Sequence, residues 1–173
     1  DSAVDWFETG LKVLLAQLER QVGNDGGQFE RSPMYHTTVL LVYAEVAYVL
    51  RHCELEVPDS VDATVQKMIH YLHSLLHPDG EMPFFNDAAL GMTPPTDKVF
   101  ESLRHLGYST PEPSRHVENV KPLEESGLYV LREKAQESCL IFDCGPLGPD
   151  YQPGHGHCDT LSYEWSVGGQ RLI

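Results

Sequence analysis

Basic residues are scarce in this chain. Twelve lysines and arginines stand against 26 aspartates and glutamates, so the formal net charge is -14 at pH 7. A general nucleic-acid-binding protein needs a basic surface that displaces counterions, so the composition excludes that class. The charge also disfavours a polyanionic ligand, although a cleft on an acidic protein can be locally positive.

Cysteine is scarce as well, with four residues that form no CxxC pair and no zinc-finger spacing. Cys53 falls on a helical pattern and Cys139 on a strand pattern, where a free cysteine packs as a small apolar side chain. We therefore expect mostly free thiols. A Cys139–Cys144 or Cys144–Cys158 bridge stays open as an alternative.

Long apolar runs are missing too. Although 41% of the residues are hydrophobic, no run is long enough to span a bilayer, and the chain does not begin with a signal peptide. Residue 1 is Asp rather than Met, and residues 169–173 read as an interrupted strand. We expect a fragment of a longer protein, in which a site can lack some of its partners.

The chain does contain helical patterns, followed by strand patterns. Apolar periodicity predicts helices over 11–22, 33–50, 61–76 and 96–106, and Ser32-Pro33 reads as an N-cap followed by proline at the first helical position. Strands are predicted over 127–132, over 139–143 and from His155 to Val167. Helices before antiparallel strands indicate an α+β chain of two domains, 1–108 and 123–173, joined by a proline-containing linker over 109–122.

Alternating polar residues begin the last strand pattern. His155, His157 and Asp159 follow Pro153-Gly154 at every second position, so a strand would project them to one side. Three convergent groups of this kind indicate metal-ligand chemistry, proton transfer, or both. The alternative is a loop of hydrogen-bonded polar groups at the rim of a cleft.

A second dense motif covers residues 25–36. The cap at Ser32 places Tyr35 and His36 in the first turn of a helix, where unpaired N–H groups carry partial positive charge. That field favours a phenolate, as does the neighbouring Arg31, and so suits a tyrosine that transfers protons. The alternative is a packed aromatic ring with a bonded hydroxyl. Further on, Asn86-Asp87 either lines a cleft or caps a turn.

The two motifs occur in a recognisable order: Asp-Gly-Gly-x-Phe-Glu-x-Ser-Pro-x-Tyr-His over 25–36, then Gly-His-x-His-x-Asp-x-Leu-Ser over 154–162. The chain resembles the heparinase II/III-like polysaccharide lyases, and segments 79–87 and 127–132 extend the resemblance over nearly its whole length. The resemblance implies an incomplete (α/α) toroid of helical hairpins, followed by the first strands of an antiparallel β-sandwich. The active cleft should lie between the two.

The resemblance also implies an activity, the β-elimination of a uronic-acid-containing polysaccharide. Tyr35 matches the family's catalytic tyrosine, and His155 matches a catalytic histidine for proton abstraction or charge neutralisation. His157 matches a residue that binds a structural zinc in some members, with the remaining ligands expected beyond Ile173. No organic cofactor is implied.

Three more residues receive supporting roles from the resemblance. Glu30, Arg31 and His36 would bind substrate, Glu30 and His36 as supporting residues of the cleft and Arg31 as an anion contact. The family's upstream Asn or Asn-His motif, which helps neutralise the substrate carboxylate, has no match in this chain. The expected partner is an anionic uronate polymer, with a carboxylate-only polymer favoured over a highly sulfated one. Oligomeric state and cellular location stay open, with a bacterial periplasmic or secreted protein favoured.

Two other functions compete with the lyase. One is a non-catalytic carbohydrate-binding protein that has the same fold, which gains support if Tyr35 and His155 lie too far apart to share a sugar. The other is a metal-dependent hydrolase centred on His155, His157 and Asp159. The hydrolase ranks lowest, because it gives the Tyr35 motif no role.

Overall fold

The helical half of the chain is held together by one continuous core. The computed structural model describes residues 2–111, 119–133, 135–151 and 154–173. Its helices are α1 (Ser2–Gln21), α2 (Pro33–His52), α3 (Asp59–Leu75) and α4 (Thr96–His105). The core side chains are apolar and almost fully buried, among them Leu40, Val65, Met68, Leu72 and Leu103. The four predicted helices are confirmed, because their apolar periodicity is satisfied by packing against one another.

Strands follow in one antiparallel sheet whose order is that of the sequence. The strands are β1 (Asn119–Leu123), β2 (Leu128–Glu133), β3 (Ser138–Asp143), β4 (Tyr163–Val167) and β5 (Gln170–Arg171). The strands predicted over 127–132 and 139–143 are thus confirmed as β2 and β3. All neighbouring pairs are antiparallel.

The predicted linker over 109–122 needs a correction. Residues 112–118 of it lie outside the described residues, but 119–122 are strand β1 rather than linker. Pro122 suggested a break in the chain. It lies instead on β1, the outer strand of the sheet, and pairs with Tyr129 of β2. An edge strand tolerates proline, because one side of its backbone has no ladder to complete. The boundaries of the two domains stay a prediction.

The strand predicted from His155 is also wrong over its first half. β4 begins only at Tyr163, and residues 154–162 form turns and loop. Leu161 has a φ of 70°, and the Ser162 amide donates to the Asp159 carbonyl at 2.7 Å. Because residues 154–162 form turns and loop, the pleat of a β-strand does not set the directions of the His155, His157 and Asp159 side chains.

The two faces of the sheet differ in their surroundings. One face carries Leu128, Val130, Cys139 and Ile141, which pack with side chains of the helical half in a second core cluster (Tyr71, Leu75 and Phe85). Cys53, Cys139, Cys144 and Cys158 are free, as expected. Among the described residues, no helix combines the length and apolarity that a membrane span requires.

Polar contacts complete the boundary between helices and sheet. Arg132 of β2 donates to the Ser74 carbonyl at 3.0 Å and to the Leu76 carbonyl at the end of α3, where a cation meets unpaired carbonyls. Four largely buried residues, called the His77 cluster below, join the segment that follows α3 to β4 and β5. Its members are His77, Glu164, Ser166 and Arg171.

Candidate active site

Tyr35 and His155 meet at the boundary between the helices and the sheet. Tyr35 lies in the first turn of α2, and His155 lies in the loop before β4. Their ring centroids are 4.5 Å apart and their planes are inclined by 47°. The His155 side chain is 33% exposed, so a ligand can reach it. Two motifs 120 positions apart therefore build one open site.

The start of α2 explains the position of Tyr35. Ser32 is the N-cap, its side chain accepts a hydrogen bond from the Tyr35 amide at 3.4 Å, and Pro33 is the first helical residue. Proline suits this position because its missing N–H would have no partner there. The predicted cap is confirmed, and it fixes the turn from which Tyr35 projects.

His36, although adjacent to Tyr35, points into the core. It is 1% exposed, its Nε2 lies 3.0 Å from the Met68 carbonyl oxygen, and its ring contacts that of Tyr71 at 4.8 Å. Burial lowers the pKa of His36 to about 4, because the charged imidazolium would lose its hydration. His36 thus supports α2 from inside, where it cannot contact a substrate as a substrate-binding residue would.

Glu30 and Arg31 lie on the loop that leads into α2. A Glu30 carboxylate oxygen is 4.0 Å from His155 Nε2, which places Glu30 beside the Tyr35–His155 pair. Arg31 instead donates to the carbonyl oxygens of Pro146 and, at 3.4 Å, Glu125. Its guanidinium therefore links the helical half to loops of the sheet, and part of its hydrogen-bonding capacity is already used.

Asp87, which was predicted only to line a cleft or cap a turn, contacts both histidines of the loop before β4. Asp87 Oδ2 lies 2.6 Å from His155 Nδ1, and Asp87 Oδ1 accepts from His157 Nε2. These hydrogen bonds, that of His155 first, lower the pKa of the Asp87 carboxyl. The only signal in the sequence is an Asn-Asp pair in an irregular stretch, which is equally typical of an ordinary turn.

The described residues do not complete a zinc site. A structural zinc takes four ligands, whereas the residues of the described ranges include no group of three or more His, Cys, Asp or Glu side chains placed to hold a metal. His157 is bonded to Asp87, and Asp159 accepts from the Asn86 amide at 2.6 Å instead of converging with the two imidazoles. His157 as a zinc ligand stays a prediction, and no chemical step below depends on a metal.

Two family models match the chain. The family model described as heparinase II/III N-terminus matches residues 1–106, and the model described as heparinase II/III-like, C-terminal matches residues 115–173. The chain belongs to the heparinase II/III family. The site lies where segments matched by the two family models meet, since Tyr35 comes from the first and His155 from the second.

Two curated relatives in the heparinase II/III family are named heparin-sulfate lyases. The protein of Pedobacter heparinus is 32% identical over 171 residues, which cover 87% of this chain and 25% of that protein. The protein of Bacteroides stercoris is 32% identical over 90 residues, covering 51% of this chain and 14% of its own length. The chain thus spans a quarter or less of the length of these relatives.

Solved structures show the same fold. A heparinase III gene product has 25% sequence identity and a TM-score of 0.72, covering 100% of this chain and 28% of its own. Another heparinase III has 18% identity and a TM-score of 0.79, covering 100% of this chain and 31% of its own. Heparinase III has a helical toroid and a β-sandwich, so the predicted fold class is confirmed: α1–α4 are part of the toroid and β1–β5 part of the sandwich.

Proposed function

We propose that this chain is part of a polysaccharide lyase that cleaves a uronic-acid-containing polymer by β-elimination. The observation that carries the proposal is the 4.5 Å separation of the Tyr35 and His155 rings in an open site. Membership of a family whose matched relatives are named heparin-sulfate lyases supports the same reaction class.

The chemistry requires two proton transfers at neighbouring atoms of the sugar. A base removes the C5 proton, the freed electron pair forms the C4–C5 double bond, and the C4–O4 bond breaks as an acid protonates O4. The uronate carboxylate must be neutralised first, because its charge opposes build-up of negative charge at C5. We assign protonation of O4 to Tyr35. To His155 we assign removal of the C5 proton; alternatively, His155 neutralises the carboxylate and Tyr35 itself takes the C5 proton before it protonates O4.

The charge of the chain bears on the substrate. The net charge is -14, and Arg31, on the loop that leads into α2, already donates to the Pro146 and Glu125 carbonyls. We therefore propose a uronate polymer with little sulfation. Its carboxylates require fewer positive contacts than a highly sulfated chain would.

The two competing functions have less support. A wide separation of Tyr35 and His155 would have supported a carbohydrate-binding protein without activity, and their ring centroids are 4.5 Å apart. A metal-dependent hydrolase was expected to gather His155, His157 and Asp159, and the Asp159 carboxylate is bonded to the Asn86 amide. Both observations favour the lyase.

The test is to assay the full-length protein for the ultraviolet absorbance of unsaturated uronate, with alginate, heparan sulfate and other uronate polymers. Tyr35→Phe removes one hydroxyl from the site, and we expect turnover to fall by about 10²–10⁴-fold, the usual contribution of a general acid or base. Substrate binding should be retained, because the ring stays in place.

Tyr48→Phe is the matched control for this variant. Tyr48 lies on the same helix and its ring also contacts a histidine, His52, with 3.9 Å between centroids. Its loss should leave turnover unchanged. Retained activity in Tyr35→Phe would remove Tyr35 from the mechanism, and absence of unsaturated product from every uronate polymer would contradict the lyase itself.

A further inference from the structure

The carboxylate of Asp87 joins both histidines of the loop that precedes β4. One oxygen lies 2.6 Å from His155 Nδ1 and the other accepts from His157 Nε2. An imidazole bonded through Nδ1 to a carboxylate has that nitrogen as its donor, which leaves Nε2 as the nitrogen for proton transfer. We propose that Asp87 is a positioning residue that sets the tautomer and ring orientation of His155 beside Tyr35. This inference rests on the proposed lyase function.

The direction of His155 Nε2 agrees with this role. Nε2 lies on the side of Glu30, 4.0 Å from its carboxylate oxygen, while the ring itself contacts Tyr35. The nitrogen that Asp87 leaves unbonded is therefore the one that faces the residues of the cleft. A histidine held in this way needs no reorientation when substrate arrives.

The backbone that carries Asp87 is held in an uncommon conformation. Asn86 and Asp87 have φ values of 44° and 41°, in the left-handed region that residues other than glycine seldom adopt. Such residues persist where their surroundings over-determine them, and they cluster at functional sites. The conformation turns the Asp87 side chain toward the two histidines.

Asn86 provides the contacts that hold this turn. It is 4% exposed, and its amide N–H donates to Asp159 Oδ2 at 2.6 Å. Its side-chain oxygen accepts from the His157 amide at 3.1 Å, and its side-chain nitrogen donates to the Arg31 carbonyl at 3.5 Å. One buried side chain thus ties together the loop of the histidines and the loop that leads to Tyr35.

The preceding residues anchor the same segment to the sheet. The Phe84 amide donates to the Glu164 carboxylate of the His77 cluster, and the Phe85 side chain is buried in the core between α3 and the sheet. Asp87 therefore projects from backbone that is fixed two and three residues earlier. Its own side chain is 31% exposed, so its removal leaves no buried charge unpaired.

Kinetics of the full-length protein test the proposal. In Asp87→Ala we expect kcat to fall by about 10–100-fold, the range typical for loss of a carboxylate that orients a histidine, with KM changed less than about twofold. Asp87→Asn can present an NH2 donor to Nδ1 and so favour the opposite tautomer, and its kcat should fall at least as far. Asp97→Ala, which removes an exposed carboxylate from α4, is the control and should keep the wild-type kcat. An unchanged kcat in Asp87→Ala would overturn the proposal.

The tautomer of His155 gives a readout that does not depend on activity. Nitrogen-15 NMR of the imidazole should show the proton on Nδ1 in the wild type and a mixture of tautomers in Asp87→Ala. The same tautomer in both proteins would overturn the positioning role. A wild type that has the fixed tautomer and makes no unsaturated product would contradict the lyase function while supporting the role of Asp87.

Discussion

His77 and His155 both pair with carboxylates at the boundary between helices and sheet, in opposite environments. The His77 side chain is fully buried, with Nδ1 2.6 Å from Ser166 Oγ and Nε2 3.2 Å from a Glu164 oxygen. His155 is one-third exposed and contacts Tyr35. The His77 cluster contains the residue types of a Ser-His-Glu triad, but Ser166 is fully buried and no substrate can reach it. Access, rather than the list of side chains, separates a structural histidine from a candidate catalytic one.

The His77 cluster instead joins two parts of the fold. Arg171 donates to Glu164 at 3.1 Å and to the carbonyls of Glu81 and Met82 at 3.3 and 3.2 Å. Each of these groups would be costly to bury without its partner. We therefore expect substitutions around His77 to change the stability of the fold, and substitutions around His155 to change turnover.

The largest effect on stability is expected from Arg171→Ala. It removes one donor each from the Glu164 carboxylate and from the Glu81 and Met82 carbonyls, and breaking a buried pair in this way costs about 3 kcal/mol of unfolding free energy. Urea unfolding of the full-length protein measures it. Lys98→Ala, which breaks the exposed pair with Glu101, is the control and should give no measurable change. Equal urea unfolding curves for Arg171→Ala and Lys98→Ala would contradict the expectation that the His77 cluster stabilises the fold.

His36 predicts a smaller effect that appears as a pH dependence. Its folded-state pKa of about 4 lies below the ordinary value of 6.5, so the unfolded chain binds the proton more tightly than the native protein. The stability is fully present above pH 6.5 and is lost as the pH falls toward 4, by about 2 kcal/mol between pH 7 and pH 5. Urea midpoints at the two pH values should differ less in His36→Gln than in the wild type. An equal difference in both proteins would show that another group is responsible.

The smallest effect is expected from Ser166→Ala. This change removes the hydrogen bond to His77 and should cost about 1 kcal/mol of unfolding free energy. Because Ser166 is fully buried, kcat per folded molecule should stay at the wild-type value. A large loss of kcat in Ser166→Ala would mean that the His77 cluster takes part in catalysis, which would reverse the comparison.

The sequence predicted the elements better than it predicted the contacts of the site. Ser32-Pro33 placed Tyr35 correctly because capping is a local interaction. His36 was misplaced because successive helical residues point about 100° apart, so a neighbour of a cleft residue can face the core. The strand extending back to His155 was wrong because alternating polarity does not exclude a loop.

Asp87 shows why the other contacts of the site could not be predicted from the sequence. Its two histidine partners lie 68 and 70 residues away along the chain, and the pairing depends on left-handed backbone at Asn86 and Asp87. Neither the spacing nor the composition of that segment specifies such a turn. Only packing of the sheet against α3 brings the carboxylate and the two imidazoles together.

Tyr35 and His155 belong to different halves of the fold, and this has a consequence for how activity is lost. A slight separation of the helices from the sheet would move Tyr35 away from His155, while every helix and strand stayed intact. Local opening of this kind needs less free energy than global unfolding. Heat should therefore inactivate the protein at a lower temperature than the one at which its circular dichroism signal disappears.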